Sequence, residues 1–97
     1  MIKHCVSFSF KDEVTSTERE SILRELNEFP MHFSAMRNWS LGPNISRRDQ
    51  TFSHTFFVEF DTEQELLHYL ASPRHEEFVD KRFRPNVSRR AIVTLKS

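Results

Sequence analysis

Four side chains able to handle protons stand far apart along this chain: the imidazoles of His4, His54 and His75 and the single phenol, Tyr69. A neutral imidazole, with a pKa near ~6.5, works as a base at neutral pH, and a phenol donates to a developing oxyanion. Together they suit removal of a proton from carbon beside a carbonyl. The three imidazoles, His4, His54 and His75, are equal candidates for the base, with Tyr69 as donor to the oxyanion. Val6, Phe8 and Phe56 share strand faces with those histidines, so the expected chamber is apolar with a few convergent polar groups, the usual form of a small-molecule site. Zinc is the competing use of three imidazoles. No His-x-x-x-His spacing and no carboxylate on the same faces supports it. His32 and His68 fall beside solvated helix positions and receive no role.

The elements that must position these groups follow from periodicity. Ile2, His4, Val6, Phe8 and Phe10 alternate strictly with Lys3, Cys5, Ser7 and Ser9, which is a strand with one apolar face. Phe52 to Phe60 repeats the pattern, placing His54, Phe56, Val58 and Phe60 on one face and Thr55, Phe57 and Glu59 on the other. Between them, Thr15-Ser-Thr-Glu18 has the form of a capping box, and Ile22, Leu23, Leu26 and Phe29 recur at helical spacing, predicting a helix from Ser16 until Pro30 stops it. Met36 to Ile45 reads as a weaker strand, with Gly42-Pro43 marking a bulge or an edge. A polar loop, Ser46 to Gln50, joins the two as a hairpin. Asp61 to Glu65 opens a second helix with Leu66, Leu67 and Leu70 inward. Ser72-Pro73 breaks it and caps a third, with His75, Phe78, Val79 and Phe83 in one stripe. Val87 to Leu95 is the last strand, with Ala91, Val93 and Leu95 on one face and Arg90, Ile92 and Thr94 on the other.

Composition bounds what such a chain does. The 97 residues make one domain, 1–97, with a single core. Fourteen basic residues balance fourteen acidic ones, so the net charge calls for neither nucleic acid nor an anionic membrane. Arg47-Arg48 and Arg89-Arg90 read as solvated pairs. Phe57-Val58-Glu59-Phe60 copies the end of an RNA-recognition motif, but Ser53, His54, Thr55 and Phe56 break its first half. Cys5 is the one cysteine and reads as a packing residue, so no intrachain disulfide forms and a reducing cytoplasm is the expected location. No apolar run has the ~18–20 residues of a membrane span, and the single glycine, Gly42, excludes glycine-rich phosphate loops.

Strand, helix, two strands, a helix pair and a strand fit a four-stranded antiparallel sheet with helices on one face, the ferredoxin-like α+β plan. Its second face would carry Cys5, Thr55, Phe57 and either Ile92 or its neighbours. That surface is too apolar for water, which predicts a homodimer closing a dimeric α+β barrel.

Ile2-Lys-His4-Cys-Val-Ser-Phe-Ser-Phe-Lys11, Gly42-Pro-Asn44-Ile-Ser46, Phe52-Ser-His54, Val58-Glu-Phe60 and Tyr69-Leu-Ala-Ser-Pro73-Arg-His75-Glu-Glu-Phe78, in this order, resemble the stress-responsive A/B barrel (Dabb) domain. The resemblance covers essentially the whole chain. It implies the same fold and dimer. In a member of known activity, positions matching His4, His54, Tyr69 and His75 line the active site of a cyclase, where the histidine matching His75, assisted by the tyrosine matching Tyr69, serves an intramolecular aldol cyclisation of a linear polyketide without metal or organic cofactor. Two expectations follow. One is a cofactor-independent cyclase acting on a polyketide-like polycarbonyl substrate, with His75 as general base, Tyr69 as oxyanion donor or orienter of His75, and His4 and His54 positioning the substrate's oxygens. The other is a non-catalytic, stress-responsive dimer that binds a small apolar ligand.

Overall fold

In the computed structural model, which describes residues 1–97, the strictly alternating β1 (Ile2–Phe10) is one of the two inner strands of the sheet. Ile2, His4, Val6, Phe8 and Phe10 are buried beneath the helices while the residues between them stay partly open. β3 (His54–Phe60) pairs antiparallel along one side of β1 and β4 (Val87–Lys96) along the other, with β2 (Arg37–Pro43) outside β3. The sheet order β2-β3-β1-β4 with helices on one face is the expected ferredoxin-like plan. No helix is long and apolar enough to cross a membrane.

α1 (Ser16–Asn27) starts where its capping residue dictates: Thr15 Oγ1 accepts the Glu18 N–H at 3.2 Å. Its Ile22 and Leu26 are buried to 0% and 1% exposure, which is what docks it on the sheet. The helix ends at Asn27, and Pro30 sits in the first turn of a separate short helix, α2 (Phe29–His32), instead of stopping the first one. A missing N–H costs nothing there, because first-turn donors have no intrahelical partner. α3 (Glu63–Ala71) carries a complete capping box between Thr62 and Glu65, with both hydrogen bonds formed, at 3.2 and 3.1 Å. Leu66 and Tyr69 turn inward from it. Leu67, expected inside, is 56% exposed because it lies one residue, and so about 100° of helix rotation, from Leu66.

Ser72 breaks the chain's helical run and caps α4 (Pro73–Phe78), its Oγ accepting the His75 N–H at 3.1 Å. The expected single stripe from His75 to Phe83 is not one α-helix. The chain widens into a π-helical turn, Val79–Phe83, followed by a 3₁₀ turn, Arg84–Asn86. The wider turn keeps both Phe78 and Phe83 pointing inward although they are five residues apart, with ring centroids 6.1 Å apart. Arg82 holds this turn to α1, its Nε donating to Glu25 at 2.6 Å, its Nη2 to Ser21 Oγ at 2.9 Å and its Nη1 to Glu18.

β2 is shorter than the alternation predicts; it is an edge strand, one of the two options Gly42-Pro43 offered, and the bulge lies elsewhere. The register with β3 shifts between Arg37 and Ser40, where Asn38 has φ 54°, and not at Gly42-Pro43. Asparagine tolerates the left-handed region that a bulge requires. Likewise β3 begins at His54, two residues after the expected Phe52.

The second face of the sheet carries Cys5, Ser7, Thr55, Phe57, Ala91, Val93 and Leu95, as the cross-strand pairs require. Val93 and Leu95 are 60% and 48% exposed there. Ile92 does not join them: it lies opposite Val6 and belongs to the helix side.

Candidate functional site

The break between α3 and α4 builds the first half of the site. Ending a helix leaves its last carbonyls without intrahelical donors, and that of Leu70 is one of these. His75 Nδ1–H fills the vacancy, donating to the Leu70 carbonyl at 3.1 Å. Because a carbonyl only accepts, Nδ1 must carry the proton, and in the neutral ring the lone pair is left on Nε2. The His75 ring also lies against Tyr69, with centroids 4.5 Å apart and planes at 58°. Backbone and ring are thus both fixed by the same helix break.

The strands supply the second half. His4, 3% exposed on β1, sits opposite Thr94 of β4, and its Nδ1 is 2.8 Å from Thr94 Oγ1. Its ring meets Tyr69 edge-on at 6.4 Å and Phe56 at 6.3 Å. Tyr69 is 2% exposed, and Phe29, Phe33 and Phe60 also pack around its ring. No buried side-chain polar atom lacks a partner, and the phenol has no hydrogen bond within the protein, so its oxygen borders open space. That space is a cavity of about 290 Å³ lined by His4, Val6, Phe56, Tyr69, His75 and chiefly apolar neighbours from α1, α4 and the π turn.

Electrostatics keep the proton-handling groups neutral. Burial lowers the pKa of His4 below 6.5, and a charge on nearby His75 lowers it further. Burial likewise lowers that of His75, against the opposing pull of its bond to the Leu70 carbonyl and of Glu76. Burial pushes the Tyr69 phenol well above its ordinary value. At neutral pH the cavity therefore holds two uncharged imidazoles and a protonated phenol.

His54 does not belong to this group, and neither does Phe8. In the antiparallel pair His4 lies opposite Val58 while His54 lies opposite Phe8, four residues along β1, or roughly 13 Å away. The His54 ring stacks on Phe8 at 5.7 Å, touches Phe10 at 5.7 Å, and has its Nδ1 2.8 Å from Ser53 Oγ. It is half-buried, and burial, with Arg19 nearby, lowers its pKa. Phe8 is wholly buried against Phe10 and Phe83, and is core. The reading from sequence also missed Arg90, Ile92 and Thr94, which close the cavity from β4. The signal was present in the alternation that puts these three on one face, but only the β1–β4 register shows that the face is the one carrying His4. No group of three His, Cys, Asp or Glu side chains lies close enough to hold a metal ion, since His54 is remote from the other two imidazoles.

These three lowered histidines set a sign for acid stability. A proton binds each more weakly in the folded chain than in the unfolded one, so folding stability is complete above pH 6.5 and is lost as pH falls from there through the lowered folded-state values. Urea midpoints measured from pH 8 to pH 5 should fall on the acid side; a flat profile would contradict the burial of these rings.

The description "Stress responsive A/B Barrel Domain" belongs to a family model that matches residues 2–96. Olivetolic acid cyclase of Cannabis sativa is 25% identical over 81 residues, 81% of this chain and 80% of that protein. The stress-response A/B barrel domain-containing protein HS1 of Arabidopsis thaliana is 27% identical over 79 residues, 79% of this chain and 72% of that one. Among solved structures, an Arabidopsis thaliana protein superposes with a TM-score of 0.89 at 23% identity, covering 100% of this chain and 95% of its own. A hydroxynitrile lyase from Passiflora edulis does so at 0.87 and 18%, covering 97% and 90%. A Thermobifida fusca protein, described as dimeric and ferredoxin-like, does so at 0.83 and 20%, covering 99% and 90%. At these identities the structures establish the fold alone.

Proposed function

The chain belongs to the stress responsive A/B barrel domain family, and from that premise we propose that its cavity performs a cofactor-independent, acid/base-assisted aldol-type cyclisation of a linear polyketide-like polycarbonyl chain. The observation that carries this reading is the His75 hydrogen bond to Leu70, which leaves Nε2 as a lone-pair base in an apolar chamber shared with the Tyr69 phenol and His4. The cyclase named among the relatives supports the choice of reaction.

His75 Nε2 takes a proton from carbon between two carbonyls, and the electron pair left behind is held as an enolate. The enolate carbon attacks a carbonyl farther along the same chain, forming one carbon–carbon bond. The alkoxide this creates receives a proton from the imidazolium, directly or through Tyr69, which gives its own proton and takes the imidazolium's in exchange, so both His75 and Tyr69 end the cycle as they began. Loss of water and enolisation of the remaining ring ketones then make the ring aromatic, with no change in redox state. Tyr69 and His4 serve best by holding carbonyl oxygens where negative charge develops. Burial strengthens those contacts because few waters compete. Incubation with a linear poly-β-keto thioester, analysed for cyclised aromatic product, tests the reading; a rate equal to that of buffer alone would overturn it.

A second reading has its own support. The likeness to the HS1 protein, together with a cavity lined mainly by apolar side chains, fits a non-catalytic stress-responsive protein that stores or senses a small apolar ligand. Binding of such ligands with no turnover would favour it.

The exposed sheet face supports a homodimer. Cys5, Phe57, Val93 and Leu95 make an apolar surface on an otherwise hydrogen-bonded sheet, and a structural neighbour is described as dimeric. A charge at its centre, Phe57→Asp, should convert a dimer of this chain to monomers in light scattering, while the wild-type protein found monomeric at micromolar concentration would remove the assignment.

A further inference from the structure

The cavity is not apolar from end to end. Its β4 wall runs from Thr94, beside His4, through Ile92 to Arg90, which lines the cavity while remaining exposed to solvent. Arg90 makes no ion pair or hydrogen bond within the protein, unlike Arg37, Arg82 and Arg84, each of which holds a carboxylate. Arg90 is therefore a solvated cation on the β4 wall of a mainly apolar chamber, removed along the strand from the neutral polar groups beside Thr94. The separation of Arg90 from Thr94 is four strand residues, roughly 13 Å.

We propose that Arg90 binds an anionic head carried on an apolar ligand body, so that the molecule enters with its uncharged end toward His4, Tyr69 and His75 and its charge at the rim. This rests on the cavity being a ligand site, as in the proposed function, and adds the class of molecule it takes: an amphiphile with a carboxylate or phosphate at one end. The planar guanidinium matches either head through two parallel N–H donors. An anion any deeper would lose its hydration among phenylalanines with no cation to replace it. The same geometry fixes orientation: only the uncharged part of the ligand reaches the imidazoles.

Octanoate, octyl phosphate and octanol separate the possibilities, measured by calorimetric titration at pH 8, where His4 and His75 are neutral and contribute no positive charge. The anions should bind about fivefold tighter than octanol, the gain typical of a solvent-exposed ion pair, with whichever head binds tighter identifying the source. Arg90→Gln should abolish that advantage and leave octanol binding unchanged; because Arg90 is exposed and unpaired, the variant should fold normally. Equal binding of octanol and both anions, or an anion preference that survives Arg90→Gln, would overturn the assignment to Arg90. Failure of all three to bind at millimolar concentration would instead remove the ligand cavity itself, and with it the proposed function.

Discussion

His75→Ala is expected to lower turnover of a linear poly-β-keto substrate by at least about 100-fold, the contribution of a positioned general base. The expectation is specific because His75 is half-buried at a helix start, where its ring holds only the Leu70 carbonyl and the Tyr69 face. The variant should keep its fold, and a circular dichroism spectrum matching the wild type would show that. Its loss should fall on kcat and on kcat/KM together, since the base acts only as the proton moves. The wild-type pH profile should agree: because burial lowers the His75 pKa, the active neutral form persists below pH 6.5, so the acid limb of the rate lies under that value. Burial moves the Tyr69 ionisation the other way, and the phenol stays a donor far into alkaline solution. A rate unchanged by His75→Ala would leave the chamber as a binding site only.

Phe8→Ala should be the most damaging truncation to the fold, costing about 3–5 kcal/mol, a large part of the ~5–15 kcal/mol that holds a domain of this kind together. Phe8 is 0% exposed, and its ring meets Phe83 at 5.1 Å, Phe10 at 5.6 Å and His54 at 5.7 Å. Removing it opens a void that the π turn above and the sheet below cannot both relax to fill. Urea unfolding measures the loss. A cost under about 1 kcal/mol, with altered ligand preference, would mean that Phe8 lines the cavity after all, because a pocket wall shortens at less expense than a core ring.

Much of this architecture was legible in the residue order because the signals are local. The alternation of Ile2 to Phe10, the caps at Thr15 and Ser72 and the helical spacing of Ile22 and Leu26 each depend on neighbours a few positions away. The convergence of His4, Tyr69 and His75 followed from putting those elements on one side of a sheet. The position of His54 did not follow. Both strand histidines stand near the beginnings of their strands, and antiparallel pairing sends the beginnings of neighbouring strands to opposite ends, so the likeness that suggested a meeting required a separation. The bulge at Asn38 was hidden for another reason. Gly42-Pro43 carries the stronger turn chemistry, yet the left-handed residue is Asn38, next to Trp39, whose ring stacks on Phe56 with centroids 4.9 Å apart. The part played by Arg90 was masked by its neighbour, since two adjacent arginines look alike until a register assigns them to opposite faces.

The widened turn at Val79–Phe83 holds one more residue than an α-helical turn would need to cover the same length. Inserting a further residue there would exceed what the wide turn absorbs and would swing everything after it by about 100°. Phe83 would leave the roof of the chamber and Arg82 would lose its grip on the first helix. Losing one residue would instead return the backbone to ordinary helical bonding with Phe78 and Phe83 four apart and still on one face, so the roof of the chamber withstands shortening but not lengthening.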